Sequence, residues 1–225
     1  MLVKDGRTAV LCGVRHVESK TLYEETQKAI DQAVVDGYIF FYEGVRRDPT
    51  IRLATGNAKR LTTFWSGIIG GGYPYLGEMR GLETQRGSLK YPPEGINADI
   101  SLEEMVNAID RAGVRCSRIL LYVVSALLIK KPTAVSEYPL SLRIAMAIAR
   151  RRFSAWFGRS FWSLLNRSFP LTVDYRNEAI FRIVMNQSGG RNIFLLYGVS
   201  HIPGLLKHLE NDGWKIKQAS ETTAS

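Results

Sequence analysis

The stretches Ala9–His16 (AVLCGVRH) and Ile193–His201 (IFLLYGVSH) decide how this sequence is expected to fold. In both, an apolar run of strand length ends in Gly-Val-x-His and is followed by residues with helical periodicity. Each helical pattern stops at Asp-Gly-aromatic, at residues 36–38 and 212–214, and leads into another extended run. The repeated order predicts an α/β fold whose central sheet is built from two related strand-GxxH-helix-strand units.

Both motif histidines, His16 and His201, come where a strand is expected to end and a helix to begin, which is where ligands of open α/β sheets collect. Glu43 follows the apolar run 38–42 and is therefore also expected at a strand end. Two imidazoles and a carboxylate can hold a divalent ion and leave positions open for water or substrate. These three residues are the predicted metal ligands. The alternative for each histidine alone is a hydrogen-bonding residue at a helix start.

The composition describes a packed globular protein of 225 residues, 45% of them hydrophobic. We expect a single domain over 1–225, with a helical insertion at about 119–166 and a flexible polar tail at 220–225. Two cysteines in apolar surroundings favour a reducing compartment. The first seven residues contain no apolar signal core. Cytoplasmic localisation is therefore expected.

The formal net charge of +9 raises the question of an anionic partner. No zinc-finger, RNP or bZIP signature accompanies the charge, so we expect no nucleic-acid partner. Arginines and large aromatic residues are interleaved over 140–166. We interpret this segment as a helical hairpin with its aromatic side chains in the core. The alternative is an amphipathic segment that makes a peripheral contact with an anionic membrane.

The most apolar stretch is 119–129, which as a helix would span roughly 16 Å, about half the hydrocarbon core of a bilayer. A buried helix is expected there. Elsewhere, helix start signals are Ser19 or Thr21, the latter with Glu24 as a capping box, and a second capping box at Ser101. A glycine-rich loop is expected at Gly70–Pro74, and a strand or element end at 171–174.

Common catalytic motifs are missing from the sequence. No G-x-S-x-G elbow is present, so Ser200 and Cys12 are weak candidates for a nucleophile. The run Gly70–Gly72 lacks the Lys-Ser/Thr ending of a P-loop, and no G-x-G-x-x-G follows a strand. Nucleotide binding is therefore not indicated.

Four motifs together resemble those of the TraB/TIKI group, which is related to the erythromycin esterases and the ChaN-like haem-binding proteins. They are Gly13–His16, Tyr42–Gly44, Arg176–Asn177 and Tyr197–Leu205. Their order is that of the group, and the resemblance spans nearly the whole chain. The middle, 46–170, matches only loosely, through Gln85 and the segment 97–99.

The resemblance implies a sheet of two related halves with His16, Glu43 and His201 at one pocket. TIKI members are metal-dependent peptidases, so the leading hypothesis is a metal-dependent hydrolase acting on a small molecule or a peptide. The two histidines would hold Mn, Co or Zn, and Glu43 would be a ligand or the general base. Arg176 and Asn177 would steady the developing oxyanion or orient Glu43.

Two alternatives follow from the other relatives. Erythromycin esterases activate water with His and Glu without a firm metal requirement, which implies a metal-free esterase. ChaN-like members bind haem, which implies a non-catalytic haem- or metal-binding protein. In that case Tyr42, Tyr175 and Tyr197 would line an apolar pocket or supply an axial ligand.

Overall fold

The computed structural model describes residues 1–117 and 154–217. The strands are β1 (Leu2–Lys4), β2 (Arg7–Val14), β3 (Val17–Glu18), β4 (Ile39–Tyr42), β5 (Glu83–Thr84), β6 (Ile96–Asn97), β7 (Ile193–Gly198) and β8 (Lys215–Ile216). The helices are α1 (Lys20–Val35), α2 (Gly56–Gly67), α3 (Tyr73–Arg80), α4 (Gln85–Ser88), α5 (Leu102–Arg111), α6 (Ser154–Gln187) and α7 (Ile202–Asn211), with a π-helical turn at Ile68–Gly72.

The main sheet has six strands in the order β6-β4-β7-β2-β1-β8. The pairs β6–β4, β4–β7 and β7–β2 are parallel, whereas β1 is antiparallel to both of its neighbours. The α/β fold predicted from the sequence is therefore confirmed. The two predicted units are interleaved, because β7 of the second unit lies between β2 and β4 of the first. The two strands of each predicted strand-helix-strand unit are parallel but do not pair directly, because other strands lie between them.

Apolar side chains cover both faces of the sheet, which explains why its central strands carry continuous apolar runs. On one face, Phe194 and Leu196 of β7 pack in a cluster with Tyr23 and Ile30 of α1. On the other, β7 contributes to a cluster with the second half of α6 and with α7, whose members include Ile193, Leu195, Tyr197, Ile180, Val184, Leu205 and Leu209. All six residues of β7 are buried.

The chain forms two compact units. Unit 1 comprises Met1–Arg46, Arg80–Ile100 and Val173–Ser225, and it contains the main sheet. Unit 2 comprises Arg47–Met79 and Ser101–Thr172, with α2 and α5 as contacting helices. In unit 2, the buried Asn57 side chain donates to Asp110 Oδ1 at 2.7 Å and to the carbonyl of Val114 at 2.8 Å. These hydrogen bonds join the start of α2 to the end of α5.

Helix ends follow the sequence signals with one exception. Gly37 ends α1 with φ 73°, and Gly113 follows α5 with φ 79°, as expected of glycine after a helix. The capping box of Ser101 and Glu104 opens α5 as predicted. The predicted box of Thr21 is wrong, because Ser19 is the N-cap of α1 and accepts from Leu22 N. Thr21 lies one residue inside the helix.

Two predictions of non-helical structure are wrong. Residues 68–72 form the π-helical turn and α3 begins at Tyr73, where the sequence predicts a loop. Residues 171–174, predicted as a strand or element end, lie within α6, which also contains Pro170. The hydroxyl of Thr172 donates to the Ser168 carbonyl at 2.7 Å, so this buried polar side chain is satisfied within the helix. Local propensity is a weak determinant where a helix is held by packing.

The predictions for 119–129 and for the tail at 220–225 lie outside the described residues, as does 140–153 of the predicted hairpin. Its remaining part, from Ser154 on, belongs to α6. Among the helices in the described part of the chain, none combines the length and the apolar character needed to cross a membrane.

Candidate active site

The parallel strands of unit 1 bring four ionisable side chains to one edge of the sheet. Glu43 follows β4, Asp99 follows β6 and His201 follows β7. His16 follows β2 in the connection to β3. Because the carboxyl ends of parallel strands lie at the same edge, residues far apart in sequence meet there.

Arg176 of α6 joins the two carboxylates of this edge. Its Nε donates to Asp99 Oδ1 at 2.9 Å, and its Nη2 lies 2.6 Å from both Asp99 Oδ2 and Glu43 Oε1. All three side chains are buried. Burial alone would lower the pKa of Arg176, but Glu43 and Asp99 outweigh it and raise that pKa. Arg176 is therefore a permanent cation that compensates two buried anions.

Both oxygens of Glu43 are engaged. Oε1 accepts from Arg176, and Oε2 accepts from the backbone N–H of Gly198 at 2.6 Å. Burial raises the pKa of Glu43, but the charges of Arg176 and the site histidines together with the Gly198 N–H outweigh burial and hold this pKa at about 2. The carboxylate is therefore ionised at neutral pH and is a weak proton acceptor.

His201 is the N-cap residue of α7 and is only 1% exposed. Its Nδ1 lies 2.7 Å from Asn177 Oδ1, and its Nε2 lies 3.6 Å from Glu43 Oε1. Burial and the Arg176 charge lower the pKa of His201 to about 4, although Glu43 opposes this shift. The imidazole is therefore neutral at pH 7, with the Nδ1 proton donated to Asn177.

Asn177 is held against the first turn of α7. A side chain at position 204 would overlap the Asn177 amide nitrogen, so Gly204 is what permits the close approach of α6 and α7. Asn177 Nδ2 is buried and has no hydrogen-bond partner among the described residues. The position of Asn177, and through it that of His201, therefore depends on the missing Cβ of Gly204.

His16 is half-buried, and its orientation is set by Gln85. Gln85 Oε1 lies 2.9 Å from His16 Nδ1, and the Gln85 backbone N–H donates to the His16 carbonyl at 3.0 Å. The other end of the Gln85 amide donates to the Tyr91 hydroxyl at 3.0 Å. Because Oε1 can only accept, the Nδ1 nitrogen carries the proton in neutral His16 and Nε2 is the basic nitrogen.

Gly198 marks the point where these groups converge. A methyl group built on it would lie 3.0 Å from Glu43 Oε2, 3.6 Å from His16 Nε2 and 3.8 Å from Ser200 Oγ. The basic nitrogen of His16 and an ionised carboxylate thus both lie beside Gly198, where any side chain would crowd them. Such a pair can activate a water molecule or another proton donor.

A divalent ion does not fit this arrangement. Residues 1–117 and 154–217 contain no group of three or more His, Cys, Asp or Glu side chains placed to hold a metal ion. Both oxygens of Glu43 already accept hydrogen bonds, and a second cation at Oε1 would be repelled by the Arg176 guanidinium. The predicted ligands His16, Glu43 and His201 do lie close together, but each is hydrogen-bonded to other residues. His16 bonds to Gln85, Glu43 to Arg176 and Gly198, and His201 to Asn177.

Two of the three tyrosines named for a haem pocket form hydrogen bonds with different partners. Tyr197 is buried and donates to the Ala98 carbonyl at 3.1 Å, whereas the Tyr42 hydroxyl accepts from Arg46 at 2.7 Å. Tyr175 on α6 is 39% exposed.

Of the weak nucleophile candidates, Cys12 has a pKa raised by burial, which disfavours its thiolate.

Asp99 and Gln85 belong to the site but are absent from the site residues predicted from the sequence. Asp99 had a usable signal, because it follows the short extended run 96–97 as Glu43 follows β4. Gln85 had none of that kind, since it begins the short helix α4. Its role depends on the pairing of β3 with β5, which brings it to His16.

Comparison with known proteins does not assign the chain to a family. No protein-family model matches it, and a search of curated proteins found no match either.

Proposed function

We propose that unit 1 is a hydrolase that cleaves a small ester or a peptide bond with a histidine base and without a metal ion. The observation that carries this proposal is that His16 Nε2 and the Glu43 carboxylate come together beside Gly198. The motifs resemble the TraB/TIKI group, which is related to the erythromycin esterases, and those enzymes use His and Glu to activate water; this kinship supports the same reaction class. The fold alone would not, since α/β sheets serve many chemistries.

In the proposed reaction, His16 Nε2 accepts a proton from a water molecule as its oxygen attacks the carbonyl carbon of the substrate. The imidazolium then gives this proton to the leaving group. Gln85 keeps the Nδ1 proton in place and so presents Nε2 as the base. The Glu43 carboxylate, which lies near Nε2, stabilises by its negative charge the imidazolium that forms on His16.

Glu43 is not the base in this proposal, although the sequence suggested that role. A carboxylate with a pKa of about 2, bonded at both oxygens, accepts a proton poorly at neutral pH. Arg176 orients Glu43 instead of steadying an oxyanion, since its described hydrogen bonds all go to carboxylates. Asn177 fixes the neutral His201, whose Nε2 lies 3.6 Å from Glu43 Oε1, the oxygen that Arg176 also contacts.

To test the proposal, the protein is treated with a chelator and its rate of hydrolysis is measured on p-nitrophenyl acetate and on a fluorogenic peptide library. His16→Ala should lower the rate by about 100-fold or more, as expected for loss of a general base. Gln85→Leu should lower it less, because the imidazole tautomer that presents Nε2 is no longer held. His208→Ala is the matched control, since His208 stacks on Phe181 away from the site.

Equal rates in the His16→Ala variant and the native protein would overturn the proposal.

Metal dependence is tested separately by elemental analysis of protein purified without added metal, next to His16→Ala and His201→Ala. Two results together would favour the metal-dependent hydrolase. The native protein would contain stoichiometric Mn, Co or Zn that both variants lack, and the chelator-treated native protein would regain activity only when the ion is added. Activity that survives chelation supports the metal-free reaction.

A further inference from the structure

Unit 2 contains a cleft of about 510 Å³ that is separate from the residues of the candidate active site. It is formed by the segment that leads into α2, by the first turn of that helix and by one residue of α5. Its basic lining residues are Arg47, Arg52 and Lys59, and its apolar ones include Pro49, Ile51 and Leu53. The volume is in the range of small-molecule sites.

Glu103 of α5 holds one of the three cations in place. It is 2% exposed, and its Oε1 accepts from Arg47 Nε at 2.5 Å while its Oε2 accepts from the backbone N–H of Asp48 at 2.7 Å. These bonds lower the pKa of Glu103 against the effect of burial, which raises it. The bond uses only one of the five guanidinium N–H groups of Arg47, so Arg47 is fixed and still able to donate to a ligand.

The positive charge of the cleft is not balanced by nearby acids. Glu103 is the one carboxylate among the lining residues, against three cations. Outside the lining, Asp110 is paired with Arg115, whereas Asp48 keeps its charge because its partner Thr50 is neutral; the three cations still outnumber Glu103 and Asp48. Within the described residues, no hydrogen bond or ion pair engages the side chain of Arg52 or Lys59. The attraction of an anion to the cations of this cleft should therefore exceed its repulsion by the carboxylates.

We propose that this cleft binds a small soluble phosphate compound, with the phosphate group between the three cations. Arginine forks match phosphate oxygens, and a doubly charged group makes use of more than one cation. The apolar residues Pro49, Ile51 and Leu53 would contact the organic part of the ligand. A concave site of this size suits a small molecule better than a bilayer surface or a nucleic-acid strand.

Calorimetric titration of the whole protein with inorganic pyrophosphate and with phenyl phosphate tests the proposal. Both should bind, phenyl phosphate with the added apolar contact. The double variant Arg52→Gln/Lys59→Gln should weaken binding at least about tenfold, because two charge-assisted contacts are lost. Both positions are exposed, so the fold should persist, which an unchanged thermal unfolding midpoint verifies. Lys28→Gln, an exposed lysine of α1 in unit 1, is the matched control.

Three results would overturn the proposal. Equal affinity in the double variant and the native protein would place the ion elsewhere. Succinate binding more tightly than pyrophosphate would assign the cleft to carboxylates. Binding to phosphatidic acid vesicles or to single-stranded DNA without binding of pyrophosphate would make this basic surface a membrane or nucleic-acid contact.

Discussion

Arg176 is a buried cation on which two buried carboxylates depend. It is the cation that compensates both Glu43 and Asp99, and each of these carboxylates is at least nine-tenths buried. A buried anion whose partner is removed keeps its desolvation cost without the compensating attraction. The stability of unit 1 should therefore respond strongly to a single change at position 176.

We predict that Arg176→Met lowers the free energy of unfolding of unit 1 by about 3–5 kcal/mol. Hydrogen exchange of peptides from β7, followed over a urea series, reports on this unit. Arg182→Met is the matched control on the same helix, because Arg182 is exposed and forms an ion pair with the equally exposed Glu178 one turn away. That change should stay within about 0.5 kcal/mol. Equal losses in both variants would contradict the assigned role of Arg176.

At the scale of elements, the contact of α6 with α7 sets the geometry of His201. Asn177 on α6 accepts from the imidazole, and the same amide packs against Gly204 in the first turn of α7. Because the neighbour of Gly204 is a buried side chain, it can move only by giving up its hydrogen bond to His201. A single methyl group added at position 204 is therefore expected to disturb the orientation of His201 in the candidate active site.

We predict that Gly204→Ala destabilises unit 1 by about 1–3 kcal/mol, the usual cost of overpacking. It should also change the chemical shift of the His201 Nδ1 proton, because this proton is hydrogen-bonded to Asn177 Oδ1 in the native protein. Gly56→Ala is the control for a glycine in a helix, since the nearest atom to its added Cβ would be 3.9 Å away. That change should be neutral or slightly stabilising. An unchanged His201 signal in Gly204→Ala would show that the contact can relax without loss.

For the whole molecule, the buried site predicts acid sensitivity. His201 has a pKa of about 4 in the folded protein, below its ordinary 6.5, so between these values the unfolded chain binds a proton that the folded chain does not. Stability therefore rises with pH over this window and is lost on acidification, by at most about 1.4 kcal/mol per pH unit and roughly 3 kcal/mol in all. Glu43, with a folded pKa of about 2 against 4.5, adds a loss below pH 4.5.

The measurement is the free energy of opening of β7 amides by hydrogen exchange between pH 4 and 7, corrected for intrinsic exchange rates. His201→Gln should flatten the dependence between pH 6.5 and 4.5, because the residue that titrates is gone. His208→Gln should keep the native slope, since His208 lies outside the site. The same slope in all three proteins would mean that His201 does not cause it.

The sequence alone was enough for the elements that contain their own signals. The apolar runs of β2, β4 and β7, the glycine that ends α1 and the capping box of α5 all depend on residues within a few positions of each other. For the same reason, the strand-end positions of His16, Glu43 and His201 were predicted. Periodicity and capping are local, so one sequence can indicate them, although the local signals at Thr21 and Gly70–Pro74 were overridden.

Only the tertiary structure decided which strands are neighbours and what the site residues do. The insertion of β7 between β2 and β4 is a choice among sheet orders that no local pattern distinguishes. It is this order that places the Gly198 N–H on Glu43 and leaves that carboxylate ionised and fully bonded. Likewise, Gln85 and Asp99 reach His16 and Arg176 through pairings across tens of residues. Burial and charge at a site are sums over such distant neighbours, and a pKa follows from them.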